Sequence, residues 1–201
     1  MRIIGGEFRG RTLSPFQGSA VRPTADRIRE SIFDILSHHL HGSIVLDLFA
    51  GTGALGLEAL SRGAGFGAFI DQDKKALSVI ERNIRSLGLG AQTNIIRWNI
   101  ANSLDCIRRA PQDAHPSSRG DSGEADRRAF NLVFLDPPYN RHLVDKALSH
   151  LHACGALEKG AVVVVEHSPL EPISENPEVF ALRDRRKYGQ TEISFLDYAA
   201  S

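Results

Sequence analysis

The most specific chemical signal in the sequence is the tetrapeptide Asp-Pro-Pro-Tyr at residues 136–139, which follows an apolar run at 130–135. Pro137 and Pro138 have no backbone N–H, so the carbonyl groups of this segment and the Asp136 carboxylate form a cluster of hydrogen-bond acceptors. Tyr139 adds an aromatic face for stacking. This combination suits a planar amino group on a heterocycle, whose two N–H bonds would meet the acceptors. The alternative is a proline turn with a packed tyrosine and no chemistry.

A second signal is the glycine-rich segment at 45–56, which lies between a short apolar run and a helical pattern. Its glycines, Gly51, Gly53 and Gly56, allow a tight turn and a close approach of a ligand to the backbone. The G-x-G-x-x-G spacing leaves a dinucleotide open, and a turn that only packs helix against strand is the bland alternative.

Two carboxylates narrow the choice of ligand for this turn. Asp47 lies near the end of the preceding strand-like run, where it would repel a pyrophosphate but attract an amine or another cation. Asp71 ends the next strand-like run, where it could accept hydrogen bonds from ribose hydroxyls. A ligand with an amine, a sulfonium charge and a ribose satisfies both acids, and S-adenosylmethionine is such a ligand.

Hydrophobic periodicity predicts the elements that position these residues. Strand-like runs alternate with helical stretches, which predicts an α/β fold with a doubly wound, mostly parallel sheet. The C-terminal edge of such a sheet is where ligands bind. The sequence predicts strands at 43–48, 67–70, 93–97, 130–135 and 161–165, helices at 54–62, 74–87, 102–109 and 141–153, and a final antiparallel pair at 179–187 and 192–198.

The N-terminal segment is the most basic part of the chain. Residues 1–29 hold six arginines and two acids, a local charge of +4. We interpret residues 1–20 as a basic β-hairpin arm, and 21–201 as one domain with a mobile surface loop at 110–128. Arg9 and Arg11, two apart on the predicted second strand, would share a face and bind nucleic-acid phosphates. Arg22 would contact the nucleic acid or line the active site.

Composition excludes several classes of protein. The chain has 201 residues, 42% of them hydrophobic, and no apolar run of the length that a membrane helix needs. Its N-terminus lacks the apolar core of a signal peptide. Cys106 and Cys154 are the only cysteines, which fits a cytoplasmic protein without disulfides. The cluster at His38, His39 and His41 lacks partners at zinc-site spacing, so we expect no metal.

The combined motifs resemble those of the RsmD family, which methylates the N2 amine of a guanine in 16S ribosomal RNA of the small subunit. The resemblance rests on RIIGGEFRGRTL at the N-terminus, RPTADRIRE at 22–30, DLFAGTGALGLEALSRGA at 47–64 and DPPY at 136–139. It implies a seven-stranded, Rossmann-like class I methyltransferase sheet with an antiparallel C-terminal strand, and S-adenosylmethionine as methyl donor. The implied partner is ribosomal RNA, within the small subunit or an assembly intermediate, with no membrane involved.

The resemblance also implies roles for individual residues. Residues 136–139 match the catalytic motif, Asp71 the acid at the ribose, and Asn99 the residue near the adenine. Related enzymes often carry glutamate where Asp71 stands and aspartate where Asn99 stands; both substitutions retain hydrogen-bonding ability. The cofactor loop corresponds to Asp47, Phe49, Gly51 and Gly53.

Other functions remain open from the residues themselves. A DNA adenine-N6 methyltransferase would share DPPY and the cofactor, although such enzymes generally need an added recognition domain. A protein glutamine methyltransferase would carry Asn in place of Asp136. A nicotinamide-dependent oxidoreductase explains the glycine turn but leaves DPPY without a role, and the intact acceptor motif argues against a catalytically silent RNA-binding module.

Overall fold

A seven-stranded sheet forms the centre of the protein in a computed structural model that describes residues 1–15, 26–109, 129–139, 141–174 and 176–200. The strands are β1 (Ile44–Leu48), β2 (Phe66–Asp71), β3 (Thr93–Arg97), β4 (Phe130–Leu135), β5 (Leu157–His167), β6 (Phe180–Tyr188) and β7 (Thr191–Tyr198). Their order is β3-β2-β1-β4-β5-β7-β6, with β1 to β5 parallel and β7 antiparallel to both its neighbours. The predicted α/β sheet with an antiparallel C-terminal strand is confirmed.

Helices cover both faces of the sheet and enclose two hydrophobic cores. They are α1 (Asp26–Ile35), α2 (Ala54–Ser61), α3 (Lys74–Leu87), α4 (Asp105–Arg109) and α5 (Val144–Cys154). Alternate side chains of one strand enter different cores: Phe134 of β4 packs with α1, α2 and α3, while Val133 and Leu135 pack with α4 and α5. None of the helices in the described ranges is long and apolar enough to cross a membrane.

Strand β5 is longer than the predicted 161–165. The prediction missed its first half because that stretch does not have the pattern of a buried strand. Glu158, Lys159 and Gly160 are exposed, and Gly160 has a φ of +82°. The pairing with β4 shifts register across this stretch. The irregular polar segment therefore conceals the start of the strand from a search for apolar periodicity.

The predicted N-terminal hairpin is not confirmed as a pair of strands. One antiparallel bridge joins Arg2 to Thr12, and residues 5–10 form bends and turns. The backbone N–H groups of Ile4 and Gly5 could extend a strand ladder, but they point to α2 instead. Both donate to the Glu58 carboxylate at 2.8 Å. Hydrogen bonds to α2 therefore hold the arm in place.

This geometry corrects the placement of the arm's arginines. Arg9 lies in the turn, so the prediction that Arg9 and Arg11 share one strand face is wrong. The Arg11 guanidinium donates to the carbonyl oxygen of Ser86 at 2.8 Å, at the end of α3. Arg22 and the predicted loop at 110–128 lie outside the described residues.

Glu58 provides a test of how the arm is held. Its carboxylate is fully buried and also accepts from Arg62 Nε at 2.8 Å. Glu58→Gln replaces one acceptor oxygen with an NH₂ group that faces N–H donors, so we expect a loss of about 1–3 kcal/mol of unfolding free energy in urea. Glu81→Gln is the matched control, because Glu81 makes the same i,i+4 pair with Arg85 on the exposed surface of α3. Equal losses in both variants would contradict the assigned role of Glu58.

Candidate active site

The two sequence motifs meet where the strand order reverses. Strand β1 lies between β2, the next strand in the sequence, and β4, which pairs with its other edge. Leu48 and Leu135 are partners at the C-terminal ends of β1 and β4, and the Asp136 N–H lies 3.5 Å from the Leu48 carbonyl oxygen. The glycine turn and the Asp-Pro-Pro-Tyr segment are therefore neighbours at the ligand-binding edge of a doubly wound sheet.

Left-handed backbone conformations shape the glycine turn. Phe49, Gly51 and Gly53 have φ values of +59°, +56° and +74°. A bulky residue such as Phe49 adopts this conformation at a cost of about 1–2 kcal/mol. Its side chain packs on the hydrophobic core that includes residues of α4 and α5. Asp71 holds the turn from β2, since its Oδ2 accepts the Gly51 N–H at 3.0 Å while its Oδ1 accepts the N–H of Asp73 at 2.9 Å.

The glycines of the turn have different functions. A Cβ at Gly56 would overlap the Phe69 ring and contact Asp47, so Gly56 allows α2 to pack closely on the sheet. A Cβ at Gly51 would meet only the Phe49 carbonyl oxygen, at 3.8 Å. Gly51 therefore borders open space that a ligand can occupy.

Asp47 is buried beneath this turn, with 2% of its surface exposed. Its Oδ2 accepts the Gly56 N–H at 2.9 Å, and this is the only hydrogen bond of the Asp47 side chain within the described part of the chain. Burial raises the pKa of Asp47 to about 8, and the nearby charge of Asp71 adds to this effect. The site therefore favours a neutral Asp47 until a cation approaches.

Asp136 lies on the same face of the sheet and is similarly perturbed. Burial raises the pKa of Asp136 well above its ordinary value, and the charges of Glu166 and Asp47 raise it further. Asp136 therefore keeps its proton to a higher pH than an exposed aspartate does, and its protonated form offers a carbonyl oxygen as acceptor and an O–H as donor. Pro137 is buried beside it and Pro138 is exposed.

Tyr139 is fixed by its hydroxyl group. The Oη atom donates to Oε1 of Glu166 at 2.9 Å and lies 3.0 Å from Oγ1 of Thr191. Burial raises the pKa of Tyr139. Both partners were missed by sequence reasoning. Glu166 had a detectable signal, because it is a charged residue directly after four valines of a strand, the position that made Asp47 and Asp71 conspicuous.

Asn99 lies beyond β3, and two strands, β2 and β1, separate β3 from β4 and its Asp-Pro-Pro-Tyr segment. It is exposed, and its Oδ1 accepts the N–H of Ala101 at 3.0 Å. It borders a cleft of about 450 Å³ at the C-terminal ends of β2 and β3. The cleft is lined by Gln72, Arg97, Trp98, Asn99 and Asn102.

The described residues contain no group of three His, Cys, Asp or Glu side chains placed to hold a metal ion. His39, from the histidine cluster of the sequence, has its Nε2 3.0 Å from Nη1 of Arg183. Cys106 and Cys154 are both buried free thiols.

A Rossmann-like sheet with these motifs at its switch point defines a methyltransferase fold. A family model described as "Conserved hypothetical protein 95" matches residues 1–197. The chain belongs to this family, the RsmD family.

Individual relatives agree with this assignment. The chain is 33% identical over 190 residues to a Haemophilus influenzae protein named Ribosomal RNA small subunit methyltransferase D, covering 94% of this chain and 89% of the relative. It is 32% identical to the Escherichia coli K12 protein of the same name, covering 94% and 86%. A solved structure of Escherichia coli yhhF, described provisionally as a methyltransferase, aligns with a TM-score of 0.80 and 30% identity, covering 100% and 99%.

The raised pKa of Asp47 predicts how stability depends on pH. The folded protein binds this proton more tightly than the unfolded chain, so the unfolding free energy should fall as pH rises from the ordinary value of 3.8 towards about 8. Asp47→Asn keeps an acceptor for Gly56 and removes the ionisation, and should flatten this decline in urea titrations. Glu81→Gln, on the exposed face of α3, should leave the decline unchanged. A wild-type slope in Asp47→Asn would disprove the assignment.

Proposed function

We propose that the protein transfers a methyl group from S-adenosylmethionine to the exocyclic N2 amine of a guanine in 16S ribosomal RNA. The observation that carries the proposal is the contact between the Asp-Pro-Pro-Tyr segment and the glycine turn, which joins an amine-accepting motif to a cofactor-type turn. The names of the relatives support ribosomal RNA of the small subunit as substrate. Such a substrate, whether within the subunit or an assembly intermediate, implies a cytoplasmic location.

The residues of the turn fit S-adenosylmethionine. Gly51 leaves open space beside the backbone, and the carboxyl groups of Asp47 and Asp71 would meet an amine, a sulfonium or ribose hydroxyls there. A cation beside Asp47 would offset its raised pKa and favour its charged form. Phe49 and Gly53 shape the turn, and Asn99 borders the cleft assigned to the adenine. When bound, S-adenosylmethionine supplies an electrophilic methyl group and leaves as a neutral thioether.

Residues 136–139 orient the amine. The lone pair of the guanine amine is delocalised into the ring, so it becomes nucleophilic only as the nitrogen pyramidalises. Acceptors on Asp136 and on the Pro137 carbonyl would hold both N–H bonds in the direction that this requires, and most of the catalysis is then positioning. The ring of Tyr139, fixed through its hydroxyl, would stack on a guanine that is unpaired or flipped out.

Two substitutions separate chemistry from cofactor affinity. Asp136→Ala should abolish most methyl transfer and leave S-adenosylmethionine affinity by calorimetry near wild type. Asp71→Ala should weaken that affinity by about 1–3 kcal/mol, because the Gly51 N–H also loses its partner. Transfer is measured with tritiated S-adenosylmethionine offered with naked RNA, small subunits and duplex DNA. Labelling of duplex DNA alone would favour the adenine enzyme, and wild-type turnover by Asp136→Ala would refute the assignment.

The arginine arm predicts the salt dependence of RNA binding. Arg9 is exposed in the turn, and Arg11 contacts Ser86 while remaining exposed. Each arginine that neutralises a phosphate releases counterions, so replacing Arg9 and Arg11 with alanine should make the slope of log affinity against log salt shallower by about one to two. Cofactor affinity should not change. Arg85→Ala, which removes an exposed arginine of α3, serves as the control, and a wild-type slope in the double variant would exclude the arm as a phosphate contact.

A further inference from the structure

The hydroxyl group of Tyr139 joins three separate segments of the chain. Its Oη donates to Oε1 of Glu166 on β5 at 2.9 Å, and it lies 3.0 Å from Oγ1 of Thr191 on β7. A phenol has a single hydroxyl hydrogen, and the contact with Glu166 uses it. Thr191 is therefore the donor in the second contact, and one chain of hydrogen bonds runs from Thr191 through Tyr139 to Glu166.

The strand register explains why Thr191 and Glu166 reach the same hydroxyl group. Glu166 is the partner of Ile193 across β5 and β7, and Thr191 lies two residues before Ile193. Side chains two residues apart share one face of a strand. Ile193 is fully buried in the hydrophobic core that includes residues of α1, α2 and α3. Apolar packing therefore sets the positions of both partners of Tyr139.

The turn between β6 and β7, which precedes Thr191, is held from a second side. Tyr188 and Thr191 are the last partners of the two strands, and residues 189–190 connect them. The hydroxyl group of Tyr188 is hydrogen-bonded to Oγ of Ser31 on α1. Because one side chain of this turn is bonded to α1 and another to the Asp-Pro-Pro-Tyr segment, Thr191 is a fixed partner for Tyr139.

These contacts limit what the hydroxyl group of Tyr139 can do. Its hydrogen is donated to Glu166, and its oxygen accepts from Thr191. The hydroxyl group therefore has no hydrogen left to donate to a substrate. Tyr139 is only half-buried, so part of its side chain remains open to a ligand. The hydroxyl group fixes one end of the ring, and the ring is the part that can contact a base.

We propose that Thr191 is a positioning residue for methyl transfer, which acts by fixing the orientation of the Tyr139 ring against which the target guanine stacks. The inference rests on the function proposed above. A ring with a fixed orientation holds a stacked base in one direction, and the amine is then aligned with the methyl group in a larger fraction of the complexes. Thr191 therefore affects the alignment of the bound base, and its loss should lower kcat rather than raise KM.

Thr191→Val tests this role, because valine keeps the branched shape and removes the donor. We expect kcat to fall by about tenfold or more, with KM for RNA near wild type. Thr191→Ser keeps the hydroxyl group and should keep kcat near the wild-type value. A fall of kcat in Thr191→Ser as large as that in Thr191→Val would contradict the role of the hydroxyl group.

Tyr198→Phe is the matched control for the loss of a hydroxyl contact. Tyr198 lies on the same strand but packs in the other core, where its Oη is 3.0 Å from Nδ1 of His152. Its replacement removes a comparable hydrogen bond and should leave kcat unchanged. A loss of kcat equal to that in Thr191→Val would show a general effect of weakened packing and would overturn the inference.

A double variant tests whether Thr191 acts through Tyr139. Tyr139→Phe removes the hydroxyl group to which Thr191 donates, so adding Thr191→Val to it should cause no further loss of kcat. Losses that multiply would show that Thr191 acts by another route. If Tyr139→Phe loses activity while Thr191→Val does not, the hydroxyl group acts on the substrate directly, and the inference is wrong.

A second measurement does not depend on activity. The chain has three tyrosines, so protein labelled with ¹³Cζ-tyrosine gives three NMR signals, which variants with phenylalanine at each position assign. In an equal mixture of H₂O and D₂O, a hydroxyl group that exchanges slowly gives a pair of ¹³Cζ signals. We expect a pair for wild-type Tyr139 and a single averaged signal in Thr191→Val, with the Tyr198 signal unchanged.

The outcomes separate this inference from the proposed function. If methyl transfer is intact and Thr191→Val keeps the wild-type kcat, the inference fails alone. If Thr191→Val does not fold, the wild-type spectrum decides, because a single averaged signal for Tyr139 shows that its hydroxyl group is not held. If the wild type methylates no RNA, the proposed function fails and the positioning role fails with it, whatever the Tyr139 signals show about the hydrogen bond.

Discussion

The free energy cost of holding the buried carboxyl groups of Asp47 and Glu166 near the half-buried Asp136 constrains the residues at the C-terminal edge of the sheet. The charge effects on Asp136 come from carboxylates, and burial is the larger cause of its raised pKa. Buried carboxyl groups in this situation keep protons, accept hydrogen bonds or bind a cation. The raised pKa values of Asp47 and Asp136 favour the first of these, and the hydrogen bonds that Gly56 donates to Asp47 and Tyr139 donates to Glu166 provide the second. A cationic ligand would provide the third, so the open space beside Gly51 and the acids beneath the turn favour the same class of ligand.

Glu58 shows what a buried carboxylate looks like when its role is structural. It accepts two backbone N–H groups and a guanidinium, all at 2.8 Å, so its charge is compensated within the protein. Within the described residues Asp136 has no comparable set of donors, and the charges acting on it are those of Glu166 and Asp47. The contrast between a compensated and an uncompensated acid, rather than burial alone, is what distinguishes the candidate active site from the attachment of the arm.

The sequence predicted the parts of the fold that depend on local pattern. The bounds of α3, β3 and β4 agree with prediction. The apolar residues of α3 have helical spacing and Gly88 follows them, while β3 ends at Arg97 and β4 ends directly before Asp136. The glycine turn and Asp-Pro-Pro-Tyr were recognisable for the same reason. The first half of β5 was not recognisable, because it depends on the shifted register with β4. The path of the arm was not recognisable either, because it depends on contacts with α2, more than 50 residues away in sequence. Glu166 and Thr191 also required the fold, because Tyr139 brings together residues from three separate segments.

A further set of contacts connects the arm to the glycine turn. The side chain of Asn83, buried in α3, accepts the N–H of Ser14 at 2.7 Å and donates to the carbonyl oxygen of Thr52 at 3.0 Å. Thr52 lies between Gly51 and Gly53, so one amide joins the end of the arm to the centre of the turn. Because an amide group has a fixed donor and a fixed acceptor, this bridge tolerates little relative movement of the two segments. The basic arm and the glycine turn are therefore held as one unit, and a nucleic acid bound along the arm would be placed relative to the glycine turn by the fold itself.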